Sequence, residues 1–191
     1  MTIDRTSETC LLHCFASGPS QIAAIEARVQ LDGANRLRID YVLTGDLSRL
    51  RIPPLAVPQR QDRLWEHTCF EAFMAVAEAP AYYEYNFAPS GAWAVFAFRT
   101  YRDGASLVDQ RLAPEIVSRC DEGKLELTAT VRLDRRPMMQ PSVKLRFGLS
   151  AVIEATDGSL SYWALKHPAA KPDFHHPDSF VLEFALPGQS A

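Results

Sequence analysis

A chain of 191 residues can close one full hydrophobic core but is cramped for two, so a single domain over residues 1–191 is expected. Its 47% apolar and 23% charged residues are the balance of an ordinary globular protein. A net charge of −3 with no basic run leaves no electrostatic footprint for a phosphate backbone, which argues against nucleic acid as a partner.

Residues 1–9 carry Asp4, Arg5 and Glu8, and the apolar stretch Cys10 to Ala16 is broken by His13, so no secretory leader is expected. Nor does any segment reach the roughly 18 apolar residues of a membrane span. A cytoplasmic chain without membrane partners is the expectation. Cys10 and Cys14 fall on one predicted strand, about 13 Å apart at ordinary rise and too far for a disulfide. Cys69 and Cys120 stand at no zinc-knuckle spacing, so buried, reduced thiols are expected throughout.

In chain order, 10–16 and 22–31 are the first predicted strands. Ile25, Ala27, Val29 and Leu31 alternate with Glu26, Arg28 and Gln30. After Asp32-Gly33-Ala34-Asn35, Leu37, Ile39, Tyr41 and Leu43 alternate with Arg36, Arg38 and Asp40, a hairpin with one wet face and one dry. Gly45 to Arg63 holds Pro53, Pro54 and Pro58 and is predicted as a connection, with a turn of helix at most near Leu47–Leu50.

From Trp65 the strands are dense. Phe70, Ala72, Met74 and Val76 face one way and Cys69, Glu71, Phe73 and Ala75 the other. Tyr83, Tyr85 and Phe87 share a face opposite Tyr82, Glu84 and Asn86. Beyond a turn at Pro89-Ser90-Gly91, Ala94, Phe96 and Phe98 alternate with Trp93, Val95, Ala97 and Arg99. Residues 102–112 read as a polar loop, and 116–120, 124–133 and 143–155 as strands, with a proline-bounded connection over 135–141. Asp157-Gly158 signals a hairpin into 161–166. Residues 167–178 are too proline-rich for regular structure, and 180–186 close the chain as a strand. Many short alternating strands between Gly/Pro turns predict an all-β fold, a two-sheet antiparallel β-sandwich.

The chemistry gathers in the middle of the chain. Trp65, Trp93 and Trp163 can each stack on the C–H face of a sugar ring, or fill a sandwich core. Trp93 shares a strand face with Arg99, which marks that face as the polar one. Glu66, Glu71, Glu84 and Asn86 can accept from hydroxyls and Arg99 can donate. Glu71 sits among Cys69, Phe70, Ala72 and Phe73, so it must be paired with an arginine across strands or open onto a functional face. Lys171, Asp173 and His175 of the proline-rich segment complete the candidate set. His67, His175 and His176, with carboxylates such as Asp173, also suit a divalent metal. A hydrolase would take Glu66 or Glu71 with Asp173 as its acid and base. No GxSxG, HExxH, P-loop or Rossmann pattern is present.

The runs LWEHTCFEAF (64–73), YYEYNFAPSGAWAVFAFRTYRDG (82–104) and YWALKHPAAKPDFHHPDSFVLEF (162–184) resemble the DOMON-like proteins of bacteria, relatives of the family-9 carbohydrate-binding modules. The resemblance covers about Leu64 to Phe184 and, more loosely, the strands before it. It implies a jelly-roll-like β-sandwich that binds a sugar or, in a cytochrome branch, haem. Family-9 modules hold sugar ends between two tryptophans. Their tryptophan-acid-acid signature appears here as Trp65-Glu66-His67, departing at the second acidic place. Haem would take a Met/His axial pair from Met74, Met138 or Met139 with His67 or His175. The expectation is therefore a non-catalytic domain for a carbohydrate-like small ligand, the alternatives being a haem-binding domain or a metal-assisted or carboxylate hydrolase.

Overall fold

The computed structural model describes residues 7–16, 21–31, 36–133 and 144–185. Its strands are β1 (Ser7–Cys14), β2 (Ile22–Leu31), β3 (Arg36–Gly45), β4 (Cys69–Val76), β5 (Tyr82–Phe87), β6 (Trp93–Thr100), β7 (Asp103–Ser106), β8 (Glu115–Asp121), β9 (Lys124–Arg132), β10 (Lys144–Glu154), β11 (Leu160–Ala164) and β12 (Leu182–Ala185). All strand pairing between them is antiparallel. One layer runs β1-β2-β3-β9-β8 and the other β7-β6-β5-β4-β10, with β11 and β12 sharing the far edge of β10. β1 joins the layers: its first residues pair with β2, and His13 and Cys14 pair with β11. This is the predicted β-sandwich.

The sequence pattern explains the layers. β2, β3 and β9 alternate buried and wet residues, as strands with one face in solvent must. Ile25, Val29, Ile39, Leu43, Leu127 and Val131 from that layer meet Phe70, Met74, Tyr85, Phe87, Phe147 and Leu149 from the other in one core. Tyr41 ties the layers together. Its ring lies 4.9 Å from that of Phe70, and its hydroxyl donates to the Glu71 carbonyl at 2.7 Å. Tyr41→Phe leaves that buried carbonyl without this donor and is expected to cost about 1–2 kcal/mol in denaturant unfolding.

β4 and β5 break the alternation, for nearly every residue on them is buried. Their outer face is covered as well: Phe73, Ala75 and Tyr82 on it pack with Phe180 and, from the segment after β11, Phe174. Gly148 of β10 permits this cover, because a Cβ there would stand 2.7 Å from the Phe180 ring.

Some expectations are corrected. Residues 102–112 are not all loop: β7 pairs with β6, and a 3-10 turn spans Gln110–Leu112. Cys69 is buried but Cys120 is exposed; all four thiols are free. The connection expected at 135–141 and the turn at 32–35 lie outside the described residues.

Candidate functional site

Cross-strand register decides which side chains share the outer face of the second layer. Phe87 pairs with Trp93, Tyr85 with Val95, Glu84 with Phe96 and Tyr82 with Phe98. Partners across a ladder point the same way, so Trp93 follows Phe87 into the core while Phe96 and Phe98 join Glu84 outside. On the other flank Val152 pairs with Tyr162 and Ala151 with Trp163, which places Tyr162 outside and Trp163 inward. Opposite β5, Glu71 pairs with Asn86 and Phe73 with Glu84.

A cavity of about 470 Å³ opens on this face, within the roughly 300–1,000 Å³ of small-molecule sites. Glu71, Phe73 and Glu84 form its floor, with Phe96, Phe98 and Tyr162 beside them. Trp65 and Glu66 come from a 3-10 turn, and Phe174 and His175 from the proline-rich segment. Arg63 enters that 3-10 turn at φ 62, and Arg102, at the cavity wall, has φ 56. Left-handed backbone at a non-glycine residue is strain held by its surroundings; Arg102 lines the hollow, and Arg63 leads the turn that carries Trp65 and Glu66 to it.

The polar groups form one network. The Arg102 backbone N–H donates to the Tyr82 hydroxyl at 3.1 Å, and His175 Nδ1, 2.8 Å away, is the acceptor in reach of that hydroxyl's own hydrogen. The network thereby assigns the hydrogen of neutral His175 to Nε2, which lies 3.6 Å from Glu84 Oε2. That separation is too long for a direct bond and suits an intervening oxygen or nitrogen. Glu84 Oε1 accepts from Asn86 Nδ2 at 2.6 Å, and Glu71 Oε2 accepts from Ser150 Oγ at 3.2 Å. Arg102 Nη2 donates to Asp173 Oδ1 at 2.9 Å, and the Tyr101 hydroxyl donates to Oδ2 at 2.6 Å.

Burial sets the protonation. It raises the Glu84 carboxyl to about 7, against the hydrogen bond from Asn86 and the charge of Arg102. Burial and then the neighbouring Glu84 hold the Glu71 carboxyl well above its ordinary range. Burial, then Arg102, lowers His175 to about 4. Asp173 goes the other way: burial would raise it, but Tyr101 and Arg102 hold it below the usual carboxylate value. Near neutral pH the floor thus offers a carboxyl that burial biases toward its protonated form, a second poised between its two forms, and a neutral imidazole.

Of the residues singled out in the sequence, Trp65, Glu66, Glu71, Glu84 and His175 line this cavity. Asn86 and Asp173 stand behind it, holding Glu84 and Arg102. Five expectations are corrected. Trp93 is 2% exposed and faces the core; Trp163 is 6% exposed, its indole N–H donating to Ser161 Oγ at 3.0 Å. Arg99 is exposed and paired with Asp103, and Lys171 is exposed and lines no part of the cavity. Asp173 does not pair with Glu66 or Glu71 as an acid–base couple, being engaged by Arg102 and Tyr101.

The three histidines do not converge. His67 bonds to Glu154 at 2.8 Å, His175 belongs to the cavity, and His176 accepts from the Asp178 N–H. Among the described residues no three of His, Cys, Asp and Glu cluster as a metal would require. Met74 is enclosed in the core, where no axial bond to haem can form; Met138 and Met139 lie outside the described residues. Sequence reasoning missed Arg102, assigned to a loop, and Phe96, Phe98, Tyr162 and Phe174. The face parity of Phe96 and Phe98 was legible, but without a register nothing joined them to Glu84.

The fold is the sandwich shared with family-9 carbohydrate-binding modules. A candidate carbohydrate-binding protein from Bacteroides uniformis superposes with a TM-score of 0.69 at 14% identity, over 94% of this chain and 86% of that one. A family-9 module from Caldicellulosiruptor kristjanssonii in complex with cellotriose matches with 0.60 at 11% identity, over 96% and 84%. A family-9 module from the same organism in complex with glucose matches with 0.53 at 12% identity, over 98% and 84%. At such identities the likeness is one of fold. No family model matches the chain, and no curated protein matches it significantly.

Proposed function

We propose that this chain is a non-catalytic binding domain for a small polyhydroxylated ligand, a sugar or a close analogue, held in the cavity on the outer face of β4, β5 and β6. One observation carries the reading: Trp65, Phe73, Phe96 and Phe98 open onto the same hollow as Glu71, Glu84 and His175. Ring faces offer apolar contact to C–H groups, and carboxyl oxygens with an imidazole N–H offer partners to hydroxyls. The fold supports it, since two structures that share it hold cellotriose and glucose. The DOMON-like resemblance of the sequence agrees with the same class of ligand. The test is a panel of monosaccharides and short oligosaccharides titrated by calorimetry and tryptophan fluorescence. Saturable binding that quenches Trp65 is expected, and silence across every sugar class would end the reading.

A hydrolytic reading has one observation in its favour: two buried carboxyls, Glu71 and Glu84, face one cavity, one of them raised to about 7. It requires release of chromophore from aryl glycosides, lost in both Glu71→Gln and Glu84→Gln. No release from any glycoside would remove it.

A further inference from the structure

Hydrogen-bonding capacity around the cavity is lopsided. Glu71 Oε2 has Ser150 and Glu84 Oε1 has Asn86, but among the described residues no donor reaches Glu71 Oε1, and only His175 Nε2, at 3.6 Å, approaches Glu84 Oε2. Glu66, whose Oε1 accepts from Arg63 Nε at 2.8 Å, adds a third carboxylate at the rim. Among the described residues the cation on the lining is Arg102, whose guanidinium donates at 2.9 Å to Asp173, which does not line the cavity. His175 is kept neutral by burial and then by the charge of Arg102. The cavity therefore offers two carboxyl oxygens that no described donor meets, with π-faces around them. A hydroxyl supplies one hydrogen and no charge. An ammonium supplies three and a full positive charge, which carboxylates and ring faces both attract.

We infer that the cavity takes a sugar-like ligand carrying a protonated amino group, an amino sugar, in preference to its neutral counterpart, with the ammonium seated between Glu71 and Glu84. This rests on the sugar-binding reading and narrows it. Asn86 and Ser150 hold one oxygen of each carboxyl, leaving the other for the ligand. Asp173, bound to Arg102, offsets the charge which that guanidinium brings to the cavity. Burial holds both floor carboxyls above their ordinary range in the empty site, so seating a cation between them releases protons.

The experiment titrates the full chain at neutral pH with glucosamine, glucose, N-acetylglucosamine and glucuronate. Each is measured by calorimetry in two buffers of different ionisation enthalpy. The expected result is glucosamine bound roughly tenfold or more tighter than glucose or N-acetylglucosamine, the gain of a charge-assisted hydrogen bond, and glucuronate weakest. Proton exchange should accompany glucosamine binding and be absent with glucose. In Glu84→Gln and Glu71→Gln the glucosamine-to-glucose affinity ratio should fall toward one. Glucose bound as tightly as glucosamine, or glucuronate bound tighter, overturns the amine assignment and leaves the sugar reading standing. No binding by any of the four overturns both.

Discussion

Trp65→Ala is expected to weaken ligand binding by about 2 kcal/mol, a factor of roughly thirty, while changing folding stability by about 1 kcal/mol or less. Trp93→Ala is expected to do the reverse. Trp65 is 39% exposed at the cavity mouth, its indole meeting the Phe96 ring edge-on at 5.7 Å. Little packing is lost with it, but a ligand loses the widest ring of the wall. Trp93 is 2% exposed in the main core. Its backbone also anchors the proline-rich connection: its N–H donates to the Gln59 carbonyl at 3.0 Å and its carbonyl accepts from Gln61 at 2.9 Å. Truncating it leaves a large cavity between the layers, which costs about 3–5 kcal/mol, a large part of a stability of roughly 5–15 kcal/mol. Denaturant unfolding of both variants, with binding isotherms taken where each is folded, separates the effects. If Trp93→Ala abolished binding with an unchanged unfolding midpoint, the inward assignment of β6 would be wrong.

That pair of tryptophans shows what the sequence could tell and where it stopped. Strand parity was legible, because alternation is a local property: Phe70, Ala72 and Met74 do face away from Glu71 and Phe73, and Tyr83 and Tyr85 away from Glu84. Which face is the core is not local. Arg99 marked the side of Trp93 as polar, but the β6–β7 register shifts between Phe98 and Thr100, so Arg99 lies where regular alternation ends. The ladder to β5 decides instead, and Phe87 takes Trp93 inward. Glu71 was recognisable as a carboxyl in apolar company, and the structure resolves its two readings, since Ser150 and the cavity, not an arginine, meet it. Tyr162 and Phe174 could not be found by spacing. They reach the site through strand order, β11 beside β10, and through a segment without period.

The pH dependence of stability should expose the proton arrangement on the cavity floor, with slopes that single substitutions change in opposite senses. Glu84 is raised from 4.5 to about 7, so between those values the folded state keeps a proton that the unfolded chain has lost. Its contribution is therefore present below 4.5 and is lost as pH rises through 7. Glu71, held well above its ordinary range by burial and then by Glu84, starts at the same lower bound and acts in the same sense. His175 is lowered from 6.5 to about 4, so in that window the unfolded chain holds the extra proton and stability rises with pH. Asp40, Asp157 and Asp173 are lowered from 3.8 and act only in stronger acid. Between pH 4.5 and 6.5, then, two carboxyls oppose one imidazole. The native protein should lose about 1.4 kcal/mol of stability per pH unit there, the slope of one proton. Glu84→Gln leaves Glu71 against His175, and its curve should be nearly flat. His175→Gln leaves both carboxyls unopposed and should double the slope. Urea unfolding across that range, read as slopes, is insensitive to any constant offset from repacking. Three parallel curves would mean that these groups titrate as they do in water, and the buried, coupled floor described above would have to be abandoned.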